Sequence, residues 1–331
     1  MLFKRLPCHN QKPLISVILE DGQIAIRRQP RPRLREGFAL IRLLYGGICN
    51  TDLELQRGYY GFRGTPGHEF VGEVVQATNR KLIGKRVVGE INLACGKCSW
   101  CLQDLGRHCP KRTVLGIVKH PGAFREFIDL PERNLHIVPN SIPTEEAVFV
   151  EPLAAACEIL DQIRIARRQP VAVLGDGKLG LLIAQVLHVH GAEVHQYGRH
   201  KEKLRLSEAV GISTEAAKRR PQAAYDIVID ATGSAAGLTE AVQMVKPRGT
   251  VVMKSTVHGT VSMNTAPVIV NEITLVGSRC GRFEPALRLL SARKIRLDGF
   301  ISETVPLHEA RRGFEKAATP GTLKVLLENQ G

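Results

Sequence analysis

Aromatic residues are few in this chain: ten Phe, five Tyr and one Trp among 331 residues. A surface that binds nucleic acid by stacking bases needs such side chains, so their scarcity argues against one. Long hydrophobic runs are missing too. Stretches without a formal charge, such as Leu179 to Ala192, are shorter than the roughly 20 apolar residues that cross a bilayer. The first ten residues, MLFKRLPCHN, lack the apolar run and small-residue cleavage site of a secretory leader, so a cytoplasmic location is expected. Low-complexity tracts are also absent, and 44% hydrophobic with 24% charged residues is an ordinary globular composition. Disordered, fibrous and membrane-spanning classes are excluded. At about 150 residues per domain, the length suggests two domains.

Acidic residues are in deficit, 32 Asp and Glu against 46 Lys and Arg, for a net charge of +14. The densest basic cluster is Arg27, Arg28, Arg31, Arg33 and Arg35, and a smaller one is Lys218, Arg219 and Arg220. Neither is interleaved with aromatics or accompanied by a docking motif, and both read as solvated surface. A basic, zinc-stabilised nucleic-acid-binding protein is the competing class.

What is present in quantity is local chemistry. Of eight cysteines, four are clustered as Cys95-x2-Cys98-x2-Cys101-x7-Cys109. Four thiolates this close can close a tetrahedral shell around one zinc and leave no position for a substrate. The expected role is to pin a loop, in a lobe of about residues 90–112. Cys8, Cys157 and Cys280 read as inert thiols.

The first 140 residues read as short strands between Gly, Pro and Asn turns, among them Leu14 to Leu19, Phe38 to Leu44, Phe70 to Val75 and Arg86 to Glu90. After Thr144, strands and helices alternate, which predicts a parallel sheet with helices on both faces. Gly175-Asp176-Gly177-Lys178-Leu179-Gly180 sits between the VAVLG strand and a helical stripe. That context marks a dinucleotide-binding turn, with the pyrophosphate at the helix N-terminus. The next strand ends in Tyr197-Gly198-Arg199-His200, with Lys203 one turn on. The usual ribose-binding acid is absent from this segment and a guanidinium is present, which favours NADP(H) over NAD(H). Asp230-Ala231-Thr232-Gly233 ends a further strand and reads either as a lining of the cofactor crevice, through Thr232, or as an ordinary turn.

A third constellation is dispersed: Cys49-Asn50-Thr51-Asp52, Gly67-His68-Glu69 and Glu151-Pro152. A thiolate, an imidazole and a carboxylate suit a zinc site with one open position. Taken singly, Cys49 fits a core residue, His68 a satisfied polar residue and Glu69 surface. Pro152 predicts a helix break that turns Glu151 inward.

In this order the motifs resemble the zinc-containing medium-chain dehydrogenase/reductase superfamily, the alcohol, polyol and threonine dehydrogenases, over essentially the whole chain. The resemblance implies an α/β architecture. It has a GroES-like β-rich catalytic domain over 1–145, a Rossmann doubly wound parallel-sheet domain over 146–281, and a C-terminal segment, 282–331, returning to the catalytic domain. It implies catalytic zinc on Cys49 and His68, with Glu151 or Glu69 as the acidic ligand, and structural zinc on Cys95, Cys98, Cys101 and Cys109. Two zinc ions per chain and a dimer or tetramer follow. The implied reaction is hydride transfer between NADP(H) and a small-molecule alcohol or carbonyl substrate, with Thr51 passing the proton toward solvent. Many members finish that relay with a histidine where this chain has Glu54, so Glu54 is either a relay or a solvent-facing acid. A relative that binds nucleotide without turnover is a further alternative.

Overall fold

The computed structural model describes residues 14–216, 220–256 and 260–331. Cys8, Lys218 and Arg219 lie outside the described residues. The chain divides into two compact units. The first contains the described residues up to Val138 with Thr304–Glu315 and Leu326–Gly331; the second contains Pro139–Glu303 and Lys316–Val325. The tail beyond residue 281 is therefore shared between the two.

The first unit is rich in β structure. Leu14–Glu20 and Gln23–Gln29 pair antiparallel across Asp21 and Gly22, whose φ values are 47° and 76°. Asp-Gly accepts this left-handed geometry, whose twist matches that of the flanking strands. Strand Phe38–Gly47 centres the main sheet. One edge pairs with Glu69–Ala77; the other pairs first with Phe127–Pro131 and then with the end of Lys324–Glu328. Leu40, Ile41, Val71, Val74 and Leu130 are buried at this junction. The Phe124 ring stands edge-on to Phe314, centroids 6.0 Å apart. The Arg27–Arg35 cluster is tied down locally: Arg31 lies 4.3 Å over the Phe127 ring, and Arg35 lies 3.8 Å over Phe38 while its guanidinium reaches Asp129 at 2.6 Å.

The second unit is the doubly wound sheet. Its six strands are Ser213–Glu215, Glu193–Tyr197, Pro170–Leu174, Tyr225–Asp230, Val245–Met253 and Thr274–Gly277, in that spatial order and all parallel. Numbered along the chain the order is 3-2-1-4-5-6, which reverses direction between Pro170–Leu174 and Tyr225–Asp230. Ligands of such sheets bind beyond the strand ends at this reversal. Helix Lys178–His190 packs on the sheet and stops at Gly191, φ 103°, as its left-handed C-cap requires.

One sequence expectation fails here. No helix break occurs at Pro152: a 3-10 turn, Glu146–Phe149, runs directly into helix Val150–Gln162, which contains Glu151. Pro152 falls in the first turn, where its missing N–H has no intrahelical acceptor to lose.

Candidate active site

Sheet register assembles the dispersed constellation. Gly47 pairs with Glu69 at the end of two antiparallel strands. Cys49 lies two residues past one strand end, and His68 directly precedes the other. Residues far apart in sequence thus converge, and the ligand atoms of Cys49, His68 and Glu69 all lie within 4.8 Å of one another. His68 and Glu69 are buried and Cys49 is half-buried. Sulfur, imidazole and carboxylate at this spacing are the donor set a zinc ion accepts.

Asp52, to which sequence reasoning gave no role, organises the cluster. Cys49 is the N-cap of helix Asn50–Gln56, and its N–H donates to Asp52 Oδ2 at 2.9 Å, half of a capping box. Asp52 Oδ1 accepts the Gly67 N–H at 3.1 Å and lies 3.5 Å from His68 Nδ1. The carboxylate is fully buried. Burial disfavours a charged His68, but the Asp52 carboxylate and then Cys49 outweigh it and hold the imidazole well above its ordinary range. Without metal this is a site for a positive charge, in competition with protons.

Thr51 Oγ1 lies 3.9 Å from Cys49 Sγ. Glu54 is engaged by Arg57, which donates to Oε1 at 2.6 Å. Glu151 belongs to the second unit, outside the three-residue cluster of the first. There burial lowers the Lys254 ammonium to about 8, opposed by Cys280, by Glu158 and, after them, by the Glu151 charge. Lys254, also missed in the sequence, donates to Ala155 O at 2.6 Å, Arg279 O at 2.7 Å and Ser278 Oγ at 3.1 Å, and so ties strand ends to helix Val150–Gln162.

The four clustered cysteines form a closed set. Sulfur separations are 3.5 Å for Cys98–Cys101, 3.6 Å for Cys95–Cys109, 3.7 Å for Cys98–Cys109 and 3.9 Å for Cys95–Cys101. A tetrahedron with zinc–sulfur bonds of about 2.3 Å has edges of about 3.8 Å, so the shell fits the ion. The Lys97 backbone N–H draws the Cys95 thiol down to about 6, whereas burial pushes Cys101 up to about 11. Cys157 is buried, which raises its thiol to about 12, as an inert core residue requires.

At the sheet reversal, a Cβ on Gly175 would come within 2.4 Å of Ala231 O, and one on Gly177 would meet nothing within 4 Å. The first glycine permits the contact between turns, and the second leaves backbone open to a phosphate. Gly180 allows the close helix packing: its Cβ would lie 2.4 Å from Gly175 O. Lys178 Nζ donates to Leu323 O at 3.3 Å. Asp230 Oδ1 accepts both the Thr232 N–H at 3.0 Å and its hydroxyl at 2.8 Å, fixing the neighbouring turn. Arg199, next in sequence to Gly198, is exposed, and Lys203 is half-buried.

Comparison with known proteins decides the family. Residues 35–140 match the alcohol dehydrogenase GroES-like domain, and residues 179–292 match the zinc-binding dehydrogenase domain. D-altritol 5-dehydrogenase of Agrobacterium fabrum is 30% identical, over 93% of this chain and 97% of that one. The chain belongs to the zinc-containing medium-chain dehydrogenase/reductase family. Sorbitol dehydrogenase of Halalkalibacterium halodurans is 26% identical over 96% of this chain and 98% of its own. A zinc-binding dehydrogenase of Sinorhizobium meliloti solved with NADP superposes with a TM-score of 0.87 at 28% identity, covering 96% of this chain and all of that one. As a member of the family, the chain is a zinc-dependent oxidoreductase acting on alcohol or carbonyl groups with a nicotinamide dinucleotide. Among the described residues no helix is long and apolar enough to cross a membrane.

Proposed function

We propose that this chain transfers hydride between NADP(H) and a polyol or sugar-like alcohol, with two zinc ions per chain. The observation that carries the reading is the convergence of Cys49, His68 and Glu69 within 4.8 Å. These three hold the catalytic metal, with Glu151 the alternative acidic ligand that the family resemblance supplies. Asp52 Oδ1 stands 3.5 Å from His68 Nδ1, and with metal on Nε2 it would serve as the carboxylate that supports this ligand ring. When bound, zinc supplies Lewis-acid polarisation of the substrate oxygen and the nicotinamide supplies hydride exchange. The Thr51 hydroxyl passes the substrate proton toward solvent, and Glu54, paired with Arg57, takes no obligatory part in that transfer. The fingerprint Gly175–Gly180 and Thr232 hold the dinucleotide, with Gly198, Arg199 and Lys203 at its adenosine end.

The polyol dehydrogenase named above supports the substrate class. The NADP-bound relative supports the cofactor. Cys95, Cys98, Cys101 and Cys109 hold the second, structural zinc. The catalytic domain takes about residues 1–145 and the dinucleotide-binding domain about 146–281, with the tail 282–331 divided between the two compact units; the protein is cytoplasmic and works as a dimer or tetramer. Metal analysis with a polyol and sugar-alcohol panel, followed through nicotinamide absorbance, tests the reading. Wild type is expected to carry two zinc ions and turn over. Cys49→Ala should carry one, lose activity and still bind NADPH. Retention of both ions and of activity in Cys49→Ala would overturn the assignment.

A further inference from the structure

In sequence, the second strand of the doubly wound sheet ends without an acid. In space, a carboxylate is there. Asp176, from the fingerprint loop, places Oδ2 2.6 Å from the backbone N–H of Arg199, 2.6 Å from that of His200 and 3.0 Å from His200 Nδ1. The residue is only 8% exposed. A Cβ built on Gly198 would lie 2.7 Å from both Cβ and Oδ2 of Asp176. The room that an acidic side chain at position 198 needs is therefore already filled by an acidic side chain from another loop. The same turn carries the exposed Arg199 and, one helical turn later, Lys203. On its other side, Arg220 lies with its guanidinium 5.3 Å over the Tyr197 ring and donates to Gly198 O at 3.4 Å.

We propose that Asp176 is a specificity-determining residue standing in for the missing strand-end acid, so that the site accepts NAD(H) through its ribose hydroxyls as well as NADP(H) through Arg199 and Lys203. The inference rests on reading the 198–200 turn as the adenosine-ribose subsite, as above. A carboxylate at that subsite accepts hydrogen bonds from the two ribose hydroxyls and repels a 2′-phosphate. Asp176 also occupies two backbone N–H donors at the start of helix Lys201–Glu208, which would otherwise turn to a phosphate. Burial raises the Asp176 carboxyl, but the His200 and Arg199 N–H groups and the His200 ring outweigh that and hold it below the ordinary carboxylate range. It is thus an anion throughout the neutral range. The Arg199 and Lys203 cations pull in the opposite direction, toward the phosphate. The two tendencies sit on one turn and oppose each other.

The test is equilibrium binding without substrate: titration of the purified chain with NADPH and with NADH, followed by nicotinamide fluorescence. Wild type should bind both with Kd values within about tenfold of each other. Asp176→Asn and Asp176→Ser should each shift the NADH/NADPH ratio of Kd values toward NADPH by about tenfold or more. Arg199→Ala should shift it the other way. If neither Asp176 variant moves the ratio while Arg199→Ala does, the role of Asp176 is overturned and the subsite stands. If Arg199→Ala also leaves it unmoved, the subsite reading itself falls. A wild-type preference above about 100-fold for either cofactor overturns dual use without recourse to any variant.

Discussion

Asp52 joins three structural requirements in one carboxylate: it caps a helix through Cys49, holds the Gly67 N–H and faces His68 Nδ1. Asp52→Ala should remove a cap worth about 1 kcal/mol and leave the Gly67 N–H buried without its acceptor. It should also cost about 10- to 100-fold in affinity for the catalytic zinc, the usual effect of losing a ligand's supporting partner. Zinc retained during dialysis against graded chelator, together with a melting curve, checks both effects. Zinc affinity unchanged from wild type would show that Asp52 only caps the helix. The role of Asp52 was not legible in the sequence because its second partner, Gly67, is fifteen residues away and is brought near only by sheet pairing. Asp176 was hidden in the same way. The motif identifies it as a loop residue, and only the folded chain shows its carboxylate at the end of a different strand. Lys254 carries no motif at all, and its three acceptors are fixed by tertiary structure.

Among elements, the cysteine lobe depends most on chemistry other than packing. Its helix Ser99–Leu102 spans four residues and buries none of them. Trp100, Leu102 and Leu105 are 48%, 77% and 40% exposed. With so little apolar burial, the sulfur shell around a metal must supply the order. Cys98→Ser should lower the zinc content by one and open residues 95–109 to proteolysis, while NADPH affinity stays at the wild-type value. Limited digestion with metal analysis checks this, and a lobe that stays resistant would show that packing suffices. The lobe and the glycine fingerprint were legible because each lies within one short segment and needs no long-range contact. The catalytic constellation was legible only through family resemblance, since the pairing of Gly47 with Glu69 that assembles it is not written locally. The strands and the parallel sheet follow directly from apolar runs and turn residues. The helix break expected at Pro152 does not, because a proline's effect depends on its position within the helix, which that rule alone does not give.

At the scale of the whole molecule, the doubly wound sheet ends at Thr274–Gly277, which among the described residues pairs on one side only, with Val245–Met253. Just before it, Ile269 and Val270 on helix Ala266–Val270 are 73% and 77% exposed. An unpaired edge beside exposed aliphatic side chains is a surface suited to association between copies. In the dimer or tetramer proposed above, Ile269→Lys should shift the sedimentation coefficient toward that of a monomer and leave nucleotide affinity unchanged. An unaltered assembly would place the contact elsewhere.

The strand Lys324–Glu328 has a temporal consequence. Leu326 and Leu327 are fully buried beside Gly47 and Gly46, and Asn329 bonds the backbone of Leu44 and Leu43. The sheet centred on Phe38–Gly47 therefore lacks this neighbour until Leu326–Glu328 are synthesised. Closing so wide a gap in sequence is slow. A nascent chain must keep this strand edge open from the synthesis of Gly47 to that of Leu326, which makes it a natural client for a chaperone during synthesis.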